Sequence, residues 1–294
     1  MDLGRVGIWT YHLNFQPTST VREVVAELEH LGYGAIWVGE AAYREPLASA
    51  AVLLSATRQM VVATGIANIW VRDPFAVLAS QLTLAEAYPE RFLLGLGVSH
   101  ARMVEGKRGH RYHRPVATMR SYLDAMDRLA ASYRAVRPAA APPRVLAALG
   151  PKMLALAGER AQGAHPYLVP PEHTAKAREL LGHDRWLLPE QGVILETDAA
   201  TARAIARRHL AVYLGLPNYT SHLRRLGFTD VDLAAGGSDR LIDALVAWGD
   251  LDQVARRVRE HHDAGADHVC LQVLDADPRG LPLRQWRELA GVLL

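Results

Sequence analysis

The chain has 294 residues, of which 50% are hydrophobic and 22% are charged, and its formal net charge is +2 at pH 7. This balance argues against a nucleic-acid-binding protein, which normally presents a concentrated basic surface. The one cysteine, Cys270, excludes an internal disulfide framework and is typical of the reducing cytoplasm, where we expect the protein to reside. The sequence contains neither an apolar run of about 18 residues nor a signal-peptide pattern, so we expect no membrane association.

Strand-like apolar runs alternate with helical patterns along the chain. The predicted strands are residues 5–11, 35–38, 60–69, 92–98, 144–149, 164–169, 191–195 and 268–274. The predicted helices are residues 20–31, 46–56, 115–132, 151–162, 172–181, 198–214, 238–248 and 251–264, together with one from Pro74, capped by Asp73, and one at the C-terminus.

Eight strands, each followed by a helix, predict an α/β fold of the (β/α)8 TIM-barrel type. Extra helical segments follow strands four and seven, and we interpret them as insertions over the C-terminal rim of the barrel. We expect one domain over residues 1–294. A doubly wound open sheet is the alternative architecture.

Polar residues follow four predicted strands, at the edge of a parallel sheet where ligands usually bind. They are Tyr11 and His12 after strand one, Glu40 after strand two, Asn68 at the end of strand three, and Ser99 and His100 after strand four. Each also has a structural interpretation. These are packing for Tyr11, a rim position for His12, an ion pair with Arg44 for Glu40, a turn cap for Asn68 and a solvated loop for His100.

Familiar catalytic and metal-binding motifs do not occur in the chain. There is no HExxH or CxxC motif, no GxxxxGKS/T phosphate loop, and no GxGxxG after a strand. The GLGVS segment at 95–99 lacks the GxSxG spacing of a nucleophile elbow. His261 and His262 are adjacent on a predicted helix and cannot face the same way, so we expect both at the surface and predict no metal site.

The segment LGPKM at 149–153 has the composition of an anion site. Gly150 permits close backbone approach, and Pro151 suits the first position of a helix. The free N–H groups of that helix, with Lys152 beside them, would hold a phosphate. A plain strand-to-helix turn is the alternative. The basic stretch 107–114 is predicted to be a solvated loop, which over the barrel rim would meet a polyanionic tail.

The segment ATGIAN at 63–68, RDP at 72–74 and LAEAYPERFLLGLGVSHA at 84–101 resemble the central signature of the bacterial luciferase-like superfamily. Within it, YPERFLLGLGVSH is similar to the coenzyme F420-dependent branch. Segments such as GRVGIWTYHL at 4–13, RVLAALGPKML at 144–154 and GGSDRLIDALVAWGD at 236–250 extend the resemblance nearly end to end, to an actinobacterial subfamily of F420-dependent oxidoreductases.

The resemblance implies a barrel with a deazaflavin across its C-terminal mouth, which exchanges a hydride with an unidentified small organic substrate. It places a non-prolyl cis peptide bond between Gly65 and Ile66, behind the ring. The implied cofactor-contacting residues are His12, Gly65, Ile66, Asn68, Val98, Ser99, Leu149, Gly150, Pro151 and Lys152. The last four, Leu149 to Lys152, would hold the phosphodiester tail. The resemblance also implies a homodimer.

Two positions depart from the sugar-phosphate dehydrogenases of this branch, in which strand two ends in an Asp-His pair and strand four in a Glu proton donor. Here Gly39–Glu40 and Ser99–His100 stand in those places. We therefore expect a reaction other than glucose-6-phosphate oxidation. His100 is the expected acid or base, with Glu40 orienting it or acting itself. The alternatives are an FMN-dependent monooxygenase fed by a separate reductase and a non-catalytic flavin-binding barrel.

Overall fold

One parallel sheet of eleven strands organises the computed structural model, which describes residues 1–294. The strands are β1 Val6–Trp9, β2 Ala35–Val38, β3 Val61–Thr64, β4 Ala67–Asn68, β5 Phe92–Gly97, β6 Arg144–Leu146, β7 Gly163–Ala164, β8 Trp186–Leu187, β9 Glu190–Ile194, β10 Val246–Trp248 and β11 Val269–Val273. Their order is β10-β9-β11-β1-β2-β3-β5-β6-β7-β8, and β4 pairs with β5. The parallel arrangement agrees with the α/β fold predicted from sequence.

The sheet returns on itself as a barrel at residues 188–189. Leu188 and Pro189 alone separate β8 from β9 in the chain. The N–H of Leu188 donates to the carbonyl of Ala164 over 2.9 Å, and the N–H of Cys270 donates to the carbonyl of Pro189 over 3.0 Å. This short segment therefore joins the β7 side of the sheet to the β11 side.

Thirteen α-helices surround the sheet or lie over its mouth. They are α1 Thr18–His30, α2 Pro46–Ala56, α3 Pro74–Ala87, α4 Ala101–Gly106, α5 Pro115–Leu129, α6 Pro151–Arg160, α7 Pro171–Leu181, α8 Ala199–Leu214, α9 Pro217–Arg225, α10 Asp230–Leu233, α11 Asp239–Leu245, α12 Leu251–Asp263 and α13 Leu283–Leu293. Six begin with proline, whose fixed φ and missing N–H suit the first helical position. None has the length and apolar character that a bilayer span requires.

Alternation along the strands divides the buried residues between two cores. Ile8 and Ile36 face outward, into a cluster of 51 buried residues between strands and helices. Their neighbours Trp9 and Trp37 face inward, into a cluster that fills the barrel interior. A third cluster lies beneath α8, α9 and α11 and fixes this helical segment to the barrel. Side chains from α8 and α9 are thereby held over the mouth.

Some local predictions are confirmed and others are wrong. α2 has the predicted bounds, and the Asp73 carboxylate accepts hydrogen bonds from the first turn of α3 at 2.9 and 3.0 Å. The helix predicted at 238–248 ends at Leu245, because Val246–Trp248 pairs with β9 as β10. Helix α4 was not predicted, since it is a short segment without a side-chain cap.

The surface position predicted for His261 is wrong. Its side chain is fully buried, with Nδ1 2.8 Å from Thr174 Oγ1 and Nε2 3.0 Å from Gln191 Oε1. His262 faces another direction and is half-buried. A buried imidazole with partners on both nitrogens is stable as a neutral group, and burial accordingly lowers the pKa of His261 to about 3.

Candidate active site

The carboxyl ends of β2, β4 and β5 meet at one sector of the rim, where Glu40, Asn68 and Ser99 follow or end their strands. Glu40 is the centre of this sector, because its Oε2 accepts a hydrogen bond from the backbone N–H of Asn68 over 2.8 Å. The predicted site residues of strands two and three are therefore in direct contact.

Glu40 forms a rim ion pair, but its partner is Arg72 instead of Arg44. Arg72 donates to both carboxylate oxygens, over 2.9 and 3.1 Å, and Arg108 lies 3.8 Å from Oε1. The Glu40 side chain is only 5% exposed. The two charge-assisted hydrogen bonds from Arg72 fix the Glu40 carboxylate and occupy both of its oxygens. Glu40 is therefore better suited to position its neighbours than to transfer a proton.

Asn68 combines the two interpretations given to it from sequence. Its side chain is buried, and Oδ1 accepts a hydrogen bond from the backbone N–H of Trp70 over 3.0 Å, as a turn cap does. The amide nitrogen of the same side chain is left to donate toward a ligand at the rim.

The bulge between β3 and β4 contains the predicted non-prolyl cis bond, between Gly65 and Ile66. The indole N–H of Trp9 donates to the carbonyl of Gly65 over 3.0 Å. A Cβ on Gly65 would lie 2.5 Å from that indole nitrogen, and a Cβ on Gly97 would lie 2.3 Å from Ile66 Cδ1. Both glycines are thus required by close packing around the bulge.

His100 follows β5 after a sharp change of chain direction. Ser99 adopts a left-handed conformation with φ of 55°, and His100 occupies the N-cap position of α4. His100 Nδ1 lies 3.2 Å from Asn218 Oδ1. Because an amide oxygen can only accept, Nδ1 carries the proton and Nε2 remains a base. Burial lowers the pKa of His100, although the Asn218 hydrogen bond opposes this shift.

The basic loop at 107–114 packs around Trp70 beside this sector. The rings of His110, Tyr112 and His113 lie 6.1–6.3 Å from the Trp70 ring, whose N–H donates to the carbonyl of Val98. Most of the loop's side chains are exposed, as predicted. The loop therefore holds Arg108 beside Glu40 and presents its other cations to solvent.

The start of α6 carries the features expected of an anion site and one additional cation. Gly150 is the N-cap and Pro151 the first helical residue, and no side chain caps this end. Arg225 Nη2 would lie 3.5 Å from a Cβ on Gly150, so its guanidinium lies beside the exposed helix start. Leu149 packs against the cluster under α8 and α9. Sequence patterns gave no signal for Arg225, since it comes from α9, 75 positions later.

His12 does not join this group. It is 6% exposed, its Nε2 lies 3.2 Å from the carbonyl of Val273, and its ring packs edge-on against Trp286 of α13 at 6.3 Å. These contacts give the side chain a packing role between β11 and α13. The contact between His12 and a cofactor that was expected from sequence stays a prediction.

The opposite side of the mouth contains polar groups that sequence analysis missed. Glu190 begins β9 and is completely buried; its Oε2 accepts from the N–H of Leu168 over 2.9 Å. Burial raises the pKa of Glu190 to about 8. Tyr167 donates to Gln272 over 2.6 Å and accepts from Tyr213 over 2.9 Å. None of these residues belongs to a recognisable motif.

Comparison with known proteins gives consistent matches. The sequence profile of the luciferase-like monooxygenases matches residues 2–268. A protein of Mycobacterium tuberculosis with the provisional name coenzyme F420-dependent oxidoreductase is 27% identical over an alignment that covers 100% of this chain and 99% of that protein.

Solved structures share the fold at low sequence identity. An F420-dependent secondary alcohol dehydrogenase in complex with an F420–acetone adduct aligns with a TM-score of 0.78 and 15% identity, covering 98% of this chain and 97% of the other. The oxygenating constituent of 3,6-diketocamphane monooxygenase from Pseudomonas putida, in complex with FMN, aligns with a TM-score of 0.69 and 16% identity, covering 98% and 96%. At these identities the likeness establishes the fold alone.

Proposed function

Because the chain belongs to the luciferase-like monooxygenase family, we propose that it is an F420-dependent oxidoreductase. Its reaction would move a hydride between the deazaflavin and a small organic substrate at the barrel mouth. The observation that carries this proposal is the start of α6, where no side chain caps the helix, Arg225 lies beside Gly150 and Lys152 is the second helical residue. The full-length relative named for F420 dependence supports the choice of cofactor.

The residues present fit such a cofactor at both of its ends. The anionic tail would bind at Gly150, Lys152 and Arg225, which would offer it the N–H groups of the helix start and two positive charges. The ring would lie against the Gly65–Ile66 bulge, with the Asn68 amide at its edge and Val98 and Ser99 alongside. Hydride exchange is the chemistry that the deazaflavin supplies when bound, and the protein provides orientation and proton transfer.

His100 is the proposed proton carrier. With Nδ1–H engaged by Asn218, Nε2 is free to take a proton from a substrate hydroxyl as a hydride leaves, or to return it in the opposite direction. Partial burial keeps the imidazole in its neutral, basic form at pH 7. Glu40 would act as a positioning residue, because it holds the backbone at Asn68 and is clamped by Arg72.

We also propose the finer architecture predicted from sequence, one (β/α)8 domain over residues 1–294, and we add that β8 and β9 together form one of its eight strands. Helix α4 would be the insertion after strand four, and α8–α11 would form the insertion after strand seven. The protein would act on a small molecule, as a homodimer in the cytoplasm.

An FMN-dependent monooxygenase is the second candidate, because an FMN complex shares the fold and a phosphate would fit the same helix start. Two assays on the purified protein separate the candidates. F420 dependence predicts hydride exchange between F420 and a panel of secondary alcohols, ketones and enones. Oxygen consumption with reduced FMN, without deazaflavin turnover, would favour the monooxygenase. Cofactor binding without turnover in either assay would favour a non-catalytic barrel.

A further inference from the structure

Eight aromatic rings form a continuous chain across the mouth, and we call them the aromatic wall. In order they are Phe15, Tyr43, Tyr11, Trp9, Tyr167, Tyr213, Tyr219 and His100, with successive centroids 4.4–5.7 Å apart. One end lies at the outer rim beyond β1. The other end is the proposed proton carrier.

The members of the wall differ in exposure. Trp9 and Tyr219 are buried, whereas Phe15 is 36% and Tyr43 is 47% exposed. Tyr11, Tyr167 and Tyr213 are partly solvent-accessible, yet burial raises the pKa of each of these hydroxyls. Tyr11, Tyr167 and Tyr213 are therefore enclosed by protein on most sides and still partly accessible to a ligand at the mouth.

A short polar chain is embedded in the wall. The Tyr213 hydroxyl donates to the Tyr167 hydroxyl, which donates to Gln272, and His209 Nε2 lies 3.3 Å from Tyr167. These partners fix the tyrosine rings in place. The wall thus offers a ligand both rigid ring faces and hydroxyl groups. This combination suits a cyclic ligand that carries an oxygen substituent.

Charge distribution narrows the class of ligand further. Burial favours the protonated, neutral form of Glu190 and lowers the pKa of His209 to about 4, so both are mainly uncharged at pH 7. The Arg279 guanidinium lies over the ring of Phe15, the outermost member of the wall, with Cζ 5.5 Å from the ring centroid. Along the inner part of the wall, from Trp9 to Tyr219, an anionic substrate would lose its hydration, and these side chains offer it no positive charge.

We propose that the aromatic wall binds the substrate, and that this substrate is an uncharged, planar or near-planar cyclic compound with its reactive oxygen at the His100 end. This inference rests on the proposed function and adds the class of substrate to it. Ring faces of the wall would stack on the compound, and the hydroxyls of Tyr167 and Tyr213 would meet its polar substituents.

Equilibrium dialysis with two probes of equal ring size tests the proposal: uncharged 2-naphthol and anionic 2-naphthoate. We expect 2-naphthol to bind at least about tenfold more tightly, because the carboxylate gains no cation on the inner wall. Tyr213→Ala and Tyr43→Ala should each weaken 2-naphthol binding by about fivefold or more, and Tyr213→Phe, which keeps the ring and loses only the hydroxyl, should weaken it less than Tyr213→Ala does. Tyr133→Ala, at the end of α5 and outside the wall, should bind as the wild type does.

Equal or tighter binding of 2-naphthoate, or unchanged 2-naphthol affinity in both alanine variants, would overturn the inference. A separate fluorescence titration with F420 keeps the two proposals distinguishable. Binding of F420 without binding of 2-naphthol removes the aromatic wall as a substrate site and leaves the proposed function standing. The opposite result supports the wall as a ligand site and counts against the cofactor assignment.

Discussion

The two sides of the barrel mouth differ in charge and in origin. The side formed by β2, β4, β5 and α6 contains ion pairs and cations, including Glu40 clamped by Arg72 and Arg225 beside Gly150. The other side presents aromatic rings, tyrosine hydroxyls and a buried Glu190 that is mainly neutral at pH 7. A charged side suits an anionic cofactor, and an uncharged side suits a substrate brought against its ring. His100 stands where the two sides meet.

The largest expected effect is at this junction. His100→Asn removes the proton acceptor while keeping a side chain of similar polarity, so we expect turnover to fall by about 10²- to 10⁴-fold. F420 affinity should stay within about tenfold of wild type, because the ring and tail sites are unaltered. Steady-state kinetics with a fluorescence titration measure both quantities. Wild-type turnover in this variant would remove His100 from the mechanism.

Glu40→Gln tests whether the charged side is held by its ion pair. The change leaves the Arg72 guanidinium, 12% exposed, with Glu45 as its remaining carboxylate partner, and we expect the free energy of unfolding to fall by about 2 kcal/mol. Glu27→Gln is the control, because its pair with Arg287 is more exposed and should cost less than about 1 kcal/mol. Urea denaturation measures the difference. Equal losses in the two variants would show that the Glu40 clamp is not structural.

Arg225→Ala tests the anion site without altering the ring site. Losing one charge-assisted contact should weaken F420 binding by about ten- to fiftyfold, and should reduce the dependence of affinity on salt. Arg224→Ala is the matched control on the same helix, since Arg224 pairs with exposed Asp230. If the two variants bind F420 equally well, Arg225 does not contact the cofactor.

The smallest expected effect is the change of protein stability with pH that Glu190 causes on the uncharged side. The pKa of Glu190 is about 8 in the folded protein, above the unfolded value near 4.3. The folded state therefore holds a proton that the unfolded state has lost, and stability decreases as pH rises toward 8. Between pH 6 and pH 8 the wild type should lose about 2 kcal/mol more than Glu190→Gln does. Parallel stability curves of the two proteins would contradict the buried, protonated carboxyl.

The charged side was largely predictable from sequence, and the uncharged side was not. Glu40, Asn68 and His100 follow apolar strands directly, so strand periodicity places them at the rim. The Gly65–Ile66 bulge was implied by a contiguous motif. Gly150 and Lys152 precede a helix whose start is marked by Pro151.

The residues that were missed come from segments distant in sequence. Arg225 reaches the site from α9, while Tyr213 lies on α8 and Glu190 opens β9 inside an apolar run. Their positions depend on how the helical segment from α8 to α11 packs over the barrel, which local patterns do not encode. His12 and His261 show the converse, because side chains that look accessible in sequence are buried by α13 and α7.

The measurement that tests the central claim most directly is a parallel equilibrium titration of the purified protein with oxidised F420 and oxidised FMN. We predict saturable F420 binding that is at least about tenfold tighter than FMN binding and that weakens in Arg225→Ala. Tighter binding of FMN, or no binding of F420 at millimolar concentration, would contradict the account.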